Sequence, residues 1–222
     1  MHDPIAVLAG TPVDTAMGMA VLSAAGSAGQ AYPLAPDPRR QTAFQLSSPA
    51  EKQAFTLSVL EKAMAEGCRK AFVYCNSLSA AVDFDILAEM TGMQIVTPLQ
   101  VYQSLAPRYR HLGLIAANAQ GLAGIERTLC TANPGLDLLG TALLPVVLSI
   151  EAGLPPETLV ERYHLPELAE WFSRCGVEAL LLGCTHFPYI KTALAKRISL
   201  PLIDPAEEMV RRIQNLPVPG RA

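Results

Sequence analysis

Short apolar runs bounded by turn residues alternate along this chain with longer amphipathic stretches, and that alternation constrains its fold more than any other feature. The runs are IAVLA (5–9), AFVYC (71–75), MQIVT (93–97), LGLIAA (112–117), LDLLGTA (136–142), EALLLGC (178–184) and LPLID (200–204). A run such as LGLIAA has no polar face, so it suits a parallel strand covered on both sides. The clearest helix starts at SSPAE. Ser48 is the N-cap, Pro49 takes the first helical position and Glu51 closes a capping box. Phe55, Val59 and Ala63 form its apolar stripe, flanked by Leu60 and Met64, and it ends near Gly67. Further helices are predicted over 78–91, 98–107, 120–132, 156–175, 188–197 and 205–214, with Pro166 breaking or kinking the one at 156–175. Strand–helix alternation predicts an α/β fold with mainly parallel sheets flanked by helices. The Pro-rich, weakly patterned segment 30–47 reads as a surface loop, of the kind that folds over a site.

The length, 222 residues, suffices for one large domain or two small ones. The net charge is −3 and no Lys/Arg run occurs, which removes the electrostatic footprint expected for nucleic acid or an acidic membrane surface. The N-terminal MHDPIAVLAGTP lacks a signal peptide's basic and long apolar regions. The longest apolar run, LLGTALLPVVLSI at 138–150, is interrupted by Pro145 and too short to span a bilayer. These features predict a soluble, cytoplasmic protein. The five cysteines, at 68, 75, 130, 175 and 184, are odd in number and show no CxxC spacing. Neither a disulfide framework nor a zinc site is expected.

Two of those cysteines share a setting. Cys75 in VYCNSLSAAV and Cys184 in LLLGCTHFPYI each end an apolar run and precede small polar residues and a helix. In parallel α/β folds, ligands bind beyond the carboxyl ends of the strands. A thiol near a helix N-terminus forms a thiolate more readily, and backbone N–H groups there bind a carboxylate. Asn76, Ser77 and Thr185 add short hydrogen-bonding side chains, and His186 stands two residues from Cys184. This set suits proton transfer at a carbon beside a carboxylate. One thiolate removes the proton from one face, and the other thiol returns a proton to the opposite face. His186 would set the protonation state of Cys184.

CNS at 75–77 and GCTHFP at 183–188 resemble the two cysteine motifs of the glutamate racemases, within the aspartate/glutamate racemase superfamily. IDPAEEMV at 203–210 is similar to the segment that closes those proteins. The resemblance implies a cofactor-independent amino-acid racemase with two similar α/β domains and an active site in the cleft between them. It implies a first domain of 1–97 plus 203–222, carrying Cys75, and a second of 98–202, carrying Cys184. Cys75 and Cys184 would serve opposite faces of a small amino-acid substrate, with His186 assisting Cys184. Asn76, Ser77 and Thr185 would bind its carboxylate and amine. Glutamate is the first substrate expected and aspartate the second, with no metal, and a homodimer is compatible with the resemblance. The chain also departs from the pattern. Ala9 and Gly10 stand where the family has an Asp-Ser pair, leaving Thr11 or Asp14 to take over. Asn118 lies in the turn that replaces a Thr-containing one, and YPLAPDP (32–38) lies near the place of a Pro-Tyr-Gly segment.

Plainer roles stand beside these. A strand-end cysteine is by default core packing, the reading taken for Cys68, Cys130 and Cys175. Asn76, Ser77 and Thr185 could be helix caps, as could Asp14 and Thr15. His111 and His164 read as surface residues, and Asp83 and Asp85 as helix decoration. The rival functions are another isomerase or a decarboxylase acting on a related carboxylate, or a binding module without turnover.

Overall fold

The computed structural model describes residues 3–217. It divides into two compact units: one runs to Val101 and resumes at Ala206, and the other is Tyr102–Pro205. In the first unit β1 (Ile5–Ala9), α1 (Pro12–Ala24), β2 (Gly29–Pro33), α2 (Pro38–Leu46) and α3 (Pro49–Ala65) are followed by β3 (Lys70–Val73). Then come α4 (Asn76–Ala81), α5 (Phe84–Thr91), β4 (Gln94–Val96) and the start of α6 (Pro98–Leu105), within which the boundary falls. The second unit continues with β5 (His111–Ala116), α7 (Ala119–Ala132), β6 (Asp137–Ala142), α8 (Leu144–Glu151), α9 (Pro156–Arg162) and α10 (Leu165–Arg174). It closes with β7 (Ala179–Gly183), α11 (Pro188–Ala195) and β8 (Leu202–Ile203), after which α12 (Ala206–Asn215) belongs to the first unit.

Each unit holds a four-stranded sheet, ordered β2-β1-β3-β4 in one and β6-β5-β7-β8 in the other. Every pairing among them is parallel. Numbered within its own unit, each sheet therefore reads 2-1-3-4. In that order the chain leaves strand 1 toward one edge and returns past it to strand 3. The crevice beyond strands 1 and 3 is then the switch point at which such sheets hold ligands. The two cysteine motifs follow strand 3 of their respective sheets.

The apolar runs became strands because both sheet faces are covered: β1 and β7 are buried along their whole lengths. Close helix contact needs a small residue at one point. A Cβ on Gly18 of α1 would stand 2.8 Å from Tyr74 Cβ and 2.9 Å from Val7 Cγ1. The glycine lets α1 lie directly on the sheet beside the stacked rings of Phe72 and Tyr74, whose centroids are 5.7 Å apart. The predicted capping box of α3 is present, with Ser48 and Glu51 each bonding the other's backbone N–H.

The segment 30–47 is not a loop. It forms the edge strand β2 and the helix α2, separated by a short turn. GQAYP shows no alternating pattern because an edge strand is covered only in part, and Tyr32 alone among its residues is buried. The polar α2 carries a start signal of its own: the Asp37 side chain accepts from Arg40 N, with Pro38 in the first turn. Helix α8 also falls outside the predicted helices, in the apolar run that includes Pro145. The predicted helix 78–91 is two, α4 and α5, parted by an extended Val82 and by Asp83, which caps α5 through Asp85 N and Ile86 N. The helix predicted over 156–175 breaks at Tyr163 and His164, where His164 is left-handed with φ 49°. Pro166 sits in the first turn of α10, where no intrahelical N–H bond is lost. Cys175 is exposed at the end of α10 and Cys130 is half-buried, so of the three cysteines assigned to the core only Cys68 is enclosed. No described helix is long and apolar enough to cross a membrane.

Helix α12 buries Met209, Val210 and Ile213 and lies against β3 and β4. The Lys70 ammonium donates to Ile213 O and Leu216 O at 2.9 and 2.6 Å, placing a cation at the negative end of the helix. On its outer side Glu208 accepts from Arg211 Nε and Nη2 and from Arg212 Nε at 2.7–2.8 Å. Arg212 also donates to Gln100 O at 2.9 Å. Those bonds hold the Glu208 carboxyl down at about 2. A depressed carboxylate contributes stability above its unfolded value, about 4.3, and loses that contribution as pH falls toward 2. Glu208→Gln is therefore expected to lower Tm modestly at pH 7, with the gap to the parent closing between about pH 4 and 2. Thermal melts across that range check it, and a constant gap would disprove the linkage.

Candidate active site

In the first unit the carboxyl ends of β1 and β3 lie side by side, joined by Tyr74 N donating to Leu8 O at 2.7 Å. Beyond β1, Thr11 caps α1, its Oγ1 accepting from Asp14 N at 3.2 Å. One turn into the helix, the Asp14 carboxylate accepts from Gly10 N at 3.3 Å. Both Thr11 and Asp14 are fully buried. Beyond β3, Cys75 is extended and stands at the N-cap position just before α4, and its carbonyl accepts from Ser79 N and Oγ at 3.1 and 2.7 Å. The Cys75 sulfur is 3.5 Å from Ser77 Oγ and 3.3 Å from Gln41 Nε2. The Ser77 hydroxyl accepts from Gln41 Nε2 at 3.3 Å and from Gln45 Nε2 at 2.8 Å. Asn76 is buried in the first turn of α4.

In the second unit β5 and β7 pair so that Ala116 stands beside Gly183, and Cys184 follows directly. A turn from Cys184 to Phe187, with Phe187 N donating to Cys184 O at 3.0 Å, separates the thiol from α11. The helix thus begins at Pro188 rather than beside the sulfur. Inside that turn, His186 Nδ1 is 3.6 Å from Cys184 Sγ. The other ring nitrogen, Nε2, is 2.9 Å from Glu151 Oε1. The His186 side chain is 3% exposed and that of Glu151 13%. A ring that gives its Nε2 proton to Glu151 presents the Nδ1 lone pair to the thiol. Such a ring can take the thiol proton, and the carboxylate beside it compensates the charge that forms. Thr185 is buried in the same turn. Asn118 caps α7, its Oδ1 accepting from Gly121 N at 2.9 Å.

The structure brings Cys75 together with Ser77, Cys184 with His186, and Thr11 with Asp14, and it shows Thr11 and Asn118 acting as helix caps. Three residues beside the thiols escaped the sequence reading. Glu151 closes an apolar helix and belongs to no motif. Gln41 and Gln45 were hidden because their segment reads as a loop. Their four-residue spacing, which puts both on one helix face, was the available signal.

No family model matches the chain. The chain is 26% identical over 175 residues to a glutamate racemase of Limosilactobacillus reuteri, covering 74% of this chain and 62% of that protein. It is 27% identical over 174 residues to a glutamate racemase of Acidothermus cellulolyticus, covering 77% and 66% respectively. The matched regions thus span less than two thirds of these relatives. Among solved structures, the glutamate racemase of Francisella tularensis in complex with D-glutamate superposes with a TM-score of 0.73 at 22% identity, covering 96% of this chain and 80% of that one. The resemblance carried by the two cysteine motifs therefore extends over most of the chain, in sequence and in fold.

Proposed function

We propose that this chain, similar to glutamate racemases in sequence and sharing their fold, is an amino-acid racemase that works through two thiols. The observation carrying the reading is the repeated placement of a thiol: in each unit a buried cysteine follows strand 3 of a 2-1-3-4 parallel sheet and has a polar partner in hydrogen-bonding range. Core packing does not require that repetition or those partners.

In the proposed reaction one cysteine, as thiolate, takes the α-proton of the substrate and becomes a thiol. The electron pair left on carbon spreads into the adjacent carboxylate. The second cysteine, as thiol, gives its proton to the opposite face and becomes a thiolate. One C–H bond breaks, one forms, and the configuration inverts with no net oxidation. The reverse reaction exchanges the two roles, so the route uses only side chains and needs no cofactor. His186, backed by Glu151, takes or returns the Cys184 proton. Asn76 and Thr185, with the backbone N–H of Ser77, receive the substrate carboxylate. Asp14, Thr11 and Asn118 are the further residues assigned to substrate binding. Glutamate is the first substrate to test, since the similar protein of known structure is described with D-glutamate bound, and aspartate is the second.

The test is α-proton exchange in D2O, followed by NMR, with both enantiomers of glutamate, aspartate and a wider amino-acid panel. Deuterium entering with inversion of configuration supports the reading and names the substrate. Absence of exchange across the panel overturns it.

A further inference from the structure

One side chain within bonding distance of the Cys75 sulfur is an amide from a different element. Gln41 of α2 reaches over the end of β1 and places Nε2 at 3.3 Å from both Cys75 Sγ and Ser77 Oγ. Gln45, one turn later on the same helix face and 5% exposed, donates to Ser77 Oγ at 2.8 Å. With its acceptor lone pairs turned to two amides, the Ser77 hydroxyl can aim its own proton at the sulfur, 3.5 Å away. A thiolate accepts hydrogen bonds far better than a thiol does, so donors held there favour the ionised form.

The space Gln41 uses is provided by a glycine. A Cβ on Gly10 would run into the Gln41 amide, standing 2.6 Å from Oε1 and closer still to the other amide atoms. Gly10 is not among the residues with positive φ, so its backbone accepts an alanine, and the group displaced would be the far end of a flexible side chain. Charged side chains on the elements around Cys75 make the following contacts. Asp14 of α1 accepts from Gly10 N at 3.3 Å. Lys52 of α3 donates to Gln45 O at 3.1 Å. Arg39 and Arg40 of α2 are exposed, and α4 carries no titratable side chain.

We propose that Gln41, admitted by Gly10 and buttressed by Ser77 and Gln45, is the positioning residue that holds Cys75 as a thiolate ready to accept a proton. Its bearing on turnover rests on the racemase reading; its effect on the thiol does not. The test is the pH dependence of Cys75 alkylation by iodoacetamide in the full chain, read by mass spectrometry of the peptide carrying Cys75. Gln41→Leu is expected to raise the midpoint by about one pH unit, because donors to the charged form are removed. Gly10→Ala, which leaves Gln41 in the chain but displaces its amide, is expected to give the same rise. The double variant should shift no further than either alone. Gln41→Asn, whose amide is too short to reach, should follow Gln41→Leu. Unchanged midpoints in properly folded Gln41→Leu and Gly10→Ala overturn the proposal, whatever the substrate panel shows. A raised midpoint without racemase activity preserves the role of Gln41 and removes the function proposed above. If turnover is present, kcat/KM should fall about tenfold at neutral pH and recover at higher pH.

Discussion

Cys75→Ala and Cys184→Ala should each abolish interconversion of the enantiomers, with kcat/KM falling on the order of 10³-fold or more, because the proposed mechanism needs both thiols as a unit. Loss of inversion need not mean loss of proton exchange. On the two-thiol proposal each variant keeps one acid–base group, so it should exchange the α-proton of one enantiomer and return it with retention. Cys184→Ala and Cys75→Ala should then show opposite preferences. The parent should show exchange and inversion with both. A free-energy constraint supplies an internal check. The enantiomers have equal energy, so kcat/KM must be equal in the two directions for the parent and for any variant that turns over. Exchange of both enantiomers by either single variant would exclude the two-base assignment. So would full racemisation by Cys184→Ala.

Glu151→Gln has the second-largest expected effect. The carboxylate lies 2.9 Å from His186 Nε2 in a nearly enclosed place, and the ring's other nitrogen faces Cys184 at 3.6 Å. Glutamine preserves the size and one hydrogen bond but removes the charge that would compensate a protonated ring. If His186 moves the Cys184 proton, kcat should fall about 10²-fold, the lower end of general acid–base contributions, with little change in KM. Glu151→Ala should do the same and also destabilise the protein by a few kcal/mol, because a buried partner is left without its counterpart. Urea unfolding separates the two consequences. A kcat loss in Glu151→Ala but none in Glu151→Gln would make Glu151 a packing residue only.

Much of the site was written in short-range pattern. Cys75 and Cys184 stand out because each ends an uninterrupted apolar run and precedes polar residues, and His186 lies within the same motif. Parallel strands buried on both faces lose alternation and become continuous runs, which made β1, β3, β5 and β7 visible. The edge strand β2 and the polar helix α2 were not. Their burial is partial and comes from elements far off in sequence, so apolar periodicity could not reveal them. That misreading concealed Gln41 and Gln45. Glu151 was invisible for a different reason: its role exists only because α8 delivers its last residue to a turn that lies 35 residues further along the chain.

The α/β class, the two thiol-bearing turns and the resemblance to glutamate racemases were legible before any folding, because they rest on burial pattern and residue spacing over a few neighbours. The 2-1-3-4 order of each sheet and the partners around each sulfur came from the folded chain alone. Those depend on pairings between segments tens of residues apart, where a glycine without a Cβ or the last carboxylate of a helix counts only once the chain has brought its neighbours to it.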